Sequence, residues 1–163
     1  MSEEAVKEIL HRMPYGFYSL TSKAGEDVNL MVCNWVVQAS FEPRLLAVAL
    51  QKTSYSHGLV EKGRVFCLNI FNKPEEEAIK AFTKSRAKNP DKVKNAVYRS
   101  ANLTGCPVPQ GAAAYLECEV KAIVDVGGDH DMVIGEIIGG EVLKPGEVTD
   151  TLSLLDLGWS YAG

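Results

Sequence analysis

The sequence lacks every short motif that would announce a self-sufficient catalytic apparatus. No G-x-G-x-x-G follows an apolar run, so a Rossmann dinucleotide site is not expected. There is no G-x-S-x-G elbow, no H-E-x-x-H and no Cys/His nucleophile pair. The four cysteines, Cys33, Cys67, Cys106 and Cys118, show no C-x-x-C spacing. Their apolar, strand-like contexts read as reduced, buried thiols rather than a metal or redox centre. The longest unbroken apolar runs, such as residues 45–50, are far too short to span a bilayer, and no membrane partner is expected. The chain starts Met-Ser-Glu-Glu, with acids where a signal peptide carries bases, which points to the cytoplasm. No repeat, low-complexity segment or linker divides residues 1–163, a length that suits one domain with a real core.

What is present is ordinary globular balance, 46% apolar and 23% charged, with an uneven charge distribution inside it. Between Lys80 and Arg99 seven basic residues face one acid, Asp91; from Leu103 onward ten acids face only Lys121 and Lys144. A basic stretch in a chain of net charge −4 suits a small anionic ligand or a solvated surface. A nucleic acid would need a broad basic face and is not expected as a partner.

The periodicity predicts a helix over residues 3–13, stopped by Pro14 and Gly16. Strands follow at 16–22 and 28–40, joined by a polar turn, then at 44–51 and 64–71 with a helix at 54–62 between them, ended by Gly63. Pro74 and three acids open another helix through Lys84. A long strand at 112–126, with Leu116, Cys118, Val120, Ala122 and Val124 on one face, turns at Gly127-Gly128 into 130–142, and 152–157 closes the set. Many strands with few crossover helices predict a mostly β protein, an antiparallel barrel with a few short helices.

Three segments could carry chemistry. In Lys52-Thr53-Ser54-Tyr55-Ser56 a buried strand gives way to a helix, whose free N–H groups and flanking hydroxyls could hold a phosphate monoester; plain N-capping by Ser54 or Ser56 explains the same residues. In 34–43, polar Asn34, Gln38 and Ser40 share a parity, so they would need partners if buried, which a heterocycle could supply; a solvated strand at the rim is the alternative. At the 127–136 hairpin, His130 sits between Asp129 and Asp131, too few ligands for a metal site, and a solvated turn histidine reads equally well. A ligand-shaped site with few acid, base or nucleophile candidates is consistent with chemistry carried by a cofactor.

Taken in order, these segments resemble the flavin reductase-like family, whose fold is the FMN-binding split β-barrel. The resemblance covers nearly the whole chain. It rests on Pro14 to Ser22, Asn34 to Pro43, the K-x-S-x-[ST] run at Lys52, and Gly128-Asp129-His130 with Gly135-Glu136. It implies that Asn34, Trp35, Gln38, Ala39 and Ser40 line the flavin ring, that Lys52, Thr53, Ser54 and Ser56 hold the phosphate with Arg86 nearby, and that His130 stands at the reactive face. It also implies FMN as cofactor, NAD(P)H as electron donor and a site completed in a homodimer. The exposed-parity aromatics Trp35, Phe41, Trp159 and Tyr161 are candidate interface groups, since aromatics are enriched there. The Asn34-Trp35…Gln38 version is similar to members tied to rubredoxin or flavodiiron electron transfer. The expected activity is therefore an NAD(P)H:FMN oxidoreductase, with an FMN electron-transfer protein serving such redox partners as the alternative.

Overall fold

Alternating apolar residues over most of the chain force it into strands, and the computed structural model, which describes residues 2–160, gathers seven of them into one antiparallel sheet. In chain order the elements are α1 (Glu3–His11), β1 (Tyr18–Ala24), β2 (Asp27–Cys33), β3 (Val36–Phe41), β4 (Arg44–Gln51), α2 (Tyr55–Gly63), β5 (Val65–Ile70), α3 (Glu76–Lys80), α4 (Lys92–Asn95), β6 (Tyr98–Ser100), β7 (Pro107–Pro109), β8 (Ala114–Asp125) and β9 (His130–Val142). The sheet order is β2-β1-β5-β8-β9-β4-β3, with β6-β7 a separate ribbon.

The two sheet faces bury different clusters. Leu20, Leu46, Val48, Leu50, Phe66, Leu68, Cys118 and Val133 form one, and Phe17, Leu30, Cys67, Phe71, Ile79 and Tyr115 belong to the other. The first draws on β2 at one sheet edge, through Cys33, and on β4 beside the other. Helix α2 contacts β1, β2 and β4 and inserts Val60 into that cluster, so it fills the opening between the sheet's ends. The expected barrel is thus not closed by strand pairing: β2 and β3 remain sheet edges, because a helix occupies the gap.

Other departures have local causes. The predicted strand 28–40 breaks at Asn34-Trp35 into β2 and β3. Ala39 is an extra residue between Gln38, opposite Leu46, and Ser40, opposite Leu45. Adjacent residues of β4 point to opposite faces, so the bulge puts Gln38 and Ser40 on opposite sides and undoes their shared parity. A second bulge between Val120 and Ala122 does the same in β8: Ile123 packs on the core and Val124 is exposed. Residues 152–157 contribute one isolated bridge, Ser153 to Gly16, and a 3-10 turn rather than a strand. Gly63 lies inside α2, and Arg64 takes the left-handed cap (φ 58°). A Cβ at Gly63 would meet the Lys23 carbonyl oxygen at 1.8 Å, so only glycine lets the helix end seat on the β1–β2 hairpin.

The four cysteines are free and buried. Burial pushes the Cys33 and Cys118 thiols up to about 12, which keeps them inert near neutrality. Among the described residues no helix is long and apolar enough to cross a membrane.

Candidate functional site

A cleft of about 760 Å³ opens beside the start of α2. It is lined by Asn29 and Met31 of β2, by Gln51 and residues 53–56, by residues 82–87 with Lys92, and by Trp159. Four of the expected phosphate residues meet here: Thr53, Ser54, Ser56 and Arg86.

Their individual roles differ. Ser54 is the N-cap of α2, its Oγ accepting from the His57 N–H at 3.1 Å, as helix chemistry demands. The N–H groups of Tyr55 and Ser56, in the first turn, have no carbonyl acceptor within their own helix. Ser56 is fully buried, and its Oγ accepts from Asn29 Nδ2 at 2.9 Å. Asn29 Oδ1 is buried without a partner. Arg86 donates to Asp27 Oδ1 (3.2 Å) and to the Val28 carbonyl (3.3 Å) and lies 3.9 Å over the Tyr55 ring. Tyr55 also donates to Asp27. That hydrogen bond, with Arg86's charge, holds the Asp27 carboxyl below its usual range; the same hydrogen bond raises the Tyr55 hydroxyl, against Arg86's charge. Arg86 keeps further N–H donors in its planar fork.

Lys52 does not line the cleft. Its Nζ donates to Asp125 Oδ1 at 2.7 Å and lies 3.8 Å from Asp131 Oδ1, while its N–H bonds the Asp129 carbonyl at 3.0 Å. The side chain therefore ties the end of β4 to the β8–β9 hairpin. Its partner Asp125 raises the Lys52 ammonium, and in return the Asp125 carboxyl is lowered.

The same hairpin carries His130. Its Nδ1 sits 2.7 Å from Asp129 Oδ1, and its ring lies 4.9 Å from that of Trp35 at 56°. In the β4–β9 ladder His130 pairs with Gln51, which lines the cleft, so the Trp35–His130 pair neighbours the cleft lining. Asn34 Nδ2 is buried and unpartnered. Gln38, Ala39 and Ser40 instead line, with Phe41, a separate shallow groove of about 200 Å³. Of the proposed interface aromatics, Phe41 is 87% exposed, Trp159 packs edge-to-face on Phe17 at 5.5 Å, and Tyr161 lies outside the described residues.

Sequence reasoning missed three participants. Asn29 alternates with Met31 along β2, and a polar residue at that parity was the available signal. Lys92 is hidden in a run that reads as solvated surface. His57 Nε2 lies 2.7 Å from Asp131 Oδ2, both side chains about one-tenth exposed, pinning the first turn of α2 to the strand that bears His130. Nothing local foretells a pair separated by 74 positions.

The residues fit an aromatic phosphate ester. Hydroxyls, helix N–H groups and a guanidinium gather at one end, a buried acceptor without a donor sits in the wall, and aromatic and apolar side chains complete it.

Comparison with known proteins places this arrangement. The chain is 31% identical over 140 residues to diflavin flavoprotein A 1 of Synechocystis, spanning 85% of this chain and 24% of that protein. It is 29% identical over 140 residues to the high molecular weight rubredoxin of Moorella thermoacetica, covering 85% of this chain and 60% of that one. The chain thus spans about a quarter of the diflavin relatives it matches and 60% of the rubredoxin protein. An FMN-binding protein of Thermus thermophilus shares the fold, with a TM-score of 0.73, 24% identity, and 82% of this chain and 73% of that one covered. Residues 10–157 match the flavin reductase like domain model, and the chain belongs to that family.

Proposed function

We propose that this chain binds FMN in the cleft beside α2 and acts as an NAD(P)H:FMN oxidoreductase on a split β-barrel, passing electrons onward to a redox protein. The observation that carries the reading is the convergence of Thr53, Ser54, Ser56 and Arg86 on one cleft, whose lining residue Gln51 pairs with His130 of the Trp35–His130 contact. In this reading the α2 N-terminus and Arg86 take the phosphate, and Lys52 braces the hairpin behind them. Asn34, Trp35, Gln38, Ala39 and Ser40 line the ring. Gln38 to Ser40 are separate from the cleft within one chain, which supports a site completed by a second subunit in a homodimer. FMN, when bound, supplies hydride acceptance from the nicotinamide. The chain's own part is to orient the two rings, with His130 as a donor held by Asp129 and by the Trp35 ring.

A second reading is favoured by the relatives. A chain that matches a quarter of diflavin flavoproteins and most of a rubredoxin-named protein could be an electron-transfer unit that takes electrons from a rubredoxin or flavodiiron-type partner. The test is stopped-flow mixing of FMN-loaded protein with NADH, NADPH or reduced rubredoxin. Rapid flavin bleaching by a nicotinamide nucleotide supports the oxidoreductase, and bleaching by reduced rubredoxin alone supports the electron-transfer unit. A protein that takes up no FMN sinks both.

A further inference from the structure

One ammonium in the cleft is buried where the protein does not neutralise it. Lys92, at the start of α4, is 4% exposed and lines the cleft. Its Nζ donates to the Lys84 carbonyl at 2.9 Å, and among the described residues no carboxylate forms an ion pair with it. Lysine is almost never fully buried unless paired, since an isolated ammonium loses its hydration without recompense. The groups around it offer no relief. Lys84 and Arg86 of the preceding loop add positive charge; Asn29 of β2 and Tyr55 and Ser56 of α2 are neutral. Asp27, the acid on the strand against which α4 packs, is held by Arg86 and Tyr55. An acceptor stands ready in the same wall for a donor that the protein does not supply, Asn29 Oδ1.

We infer that Lys92 is the counter-charge for a phosphate monoester dianion bound in this cleft, and that its burial makes the grip pH-dependent. The inference rests on the cleft as a flavin site, with FMN the expected source of the phosphate. Burial first, and Arg86 second, lower the Lys92 ammonium to about 8. In the ligand-free protein it therefore begins to lose its proton just above neutrality, whereas a bound dianion holds the proton on. FMN affinity should be full between the second ionisation of the phosphate, about 6, and about 8, and should fall at higher pH.

The experiment titrates the whole chain with FMN, riboflavin, NADP+ and NAD+, as wild type, Lys92→Met and Lys92→Arg, and melts each protein without ligand. The expected result for Lys92→Met is an FMN affinity about tenfold to a hundredfold weaker, as for a lost charge-assisted hydrogen bond, with riboflavin unchanged. Its ligand-free melting temperature should not drop, because a buried unpaired charge has been removed. Lys92→Arg, which cannot deprotonate, should keep its FMN affinity above pH 8. An unchanged FMN-to-riboflavin ratio together with an unchanged NADP+-to-NAD+ ratio in Lys92→Met overturns the inference. A loss confined to NADP+ relative to NAD+ keeps the phosphate chemistry but moves its source from flavin to nicotinamide nucleotide. If wild type binds neither flavin, the FMN reading has failed, and inorganic phosphate decides the rest. Phosphate that raises the melting temperature of wild type but not of Lys92→Met supports Lys92, and no difference rejects it.

Discussion

The middle of the sheet and the cleft beside α2 lie in one small domain, yet they are built on opposite terms. Phe66, itself inaccessible, sits in an apolar cluster with Leu20, Val48, Leu68 and Cys118, and space is tight: a Cβ added at Gly135 would sit 2.5 Å from the Phe66 ring. In the cleft, a few residues away in space from α2's buried Val60, the buried groups are an ammonium, an amide oxygen without a partner and a serine hydroxyl. Apolar burial and close packing stabilise the first region whatever is bound. The second carries an ammonium without a counter-charge and an amide oxygen without a donor, so it costs stability when empty. Stability and binding are thus assigned to different residues, and mutations should separate them.

The largest effect should come from the packed side. Phe66→Ala leaves a void beneath Gly135 and should lower unfolding free energy by about 3–5 kcal/mol, read by denaturant titration, while FMN affinity in the folded fraction is unchanged. A parallel loss of affinity under native conditions would show that the two regions are not independent.

His130→Asn probes the chemistry rather than either kind of burial. Removal of one positioned donor costs about 2.7–4 kcal/mol of barrier, and at this half-exposed hairpin we expect the lower end or less, about a hundredfold or below. Stopped-flow flavin reduction at saturating FMN is the measurement. A normal rate, or a loss explained wholly by weaker FMN binding, returns His130 to a packing role against Trp35.

Ser54→Asp sharpens the cleft side. Aspartate caps a helix about as well as serine, so stability should hold. Its charge at the mouth of the α2 N-terminus should weaken FMN about tenfold, roughly 1.4 kcal/mol, and leave riboflavin nearly untouched. Isothermal titration with the two flavins separates these outcomes.

The pH dependence of the ligand-free protein should carry the cleft's signature as well. The folded Lys92 ammonium is lowered to about 8 from 10.5, so between these values the unfolded chain holds a proton that the folded one has released. Stability contributed by this group must therefore rise with pH across that window, by at most about 1.4 kcal/mol per pH unit. Urea midpoints at several pH values should show the rise in wild type and not in Lys92→Met.

Smallest of all should be Lys52→Met. The Lys52–Asp125 pair is solvent-screened, so the midpoint should barely move and should do so less as salt is added. A large loss of FMN affinity in this variant would restore Lys52 to the phosphate site from which the geometry removes it.

The strands were written plainly in the sequence because their signal is local. Residues 44–51 and 130–142 have the predicted bounds, and the Ser54 cap with its helix falls where a serine before an apolar period puts it. The segments around Trp35, Ser54 and His130 stood out as candidates for the same local reason, since each concentrates polar or aromatic residues where a strand ends, and Thr53, Ser54 and Ser56 do line one cleft. The tertiary structure alone decided the rest. Period two cannot foresee a bulge, because the extra residue at Ala39, like the one after Val120, is defined by the partner strand it opposes. Lys52 reads as a phosphate ligand until Asp125, 73 positions away, is folded against it. Lys92 reads as surface until α4 packs on β2 and removes it from water. Charge and hydroxyl content are properties of the residues themselves, but burial and partnership depend on which distant segments meet, and those determine whether a lysine is solvated or waits for an anion.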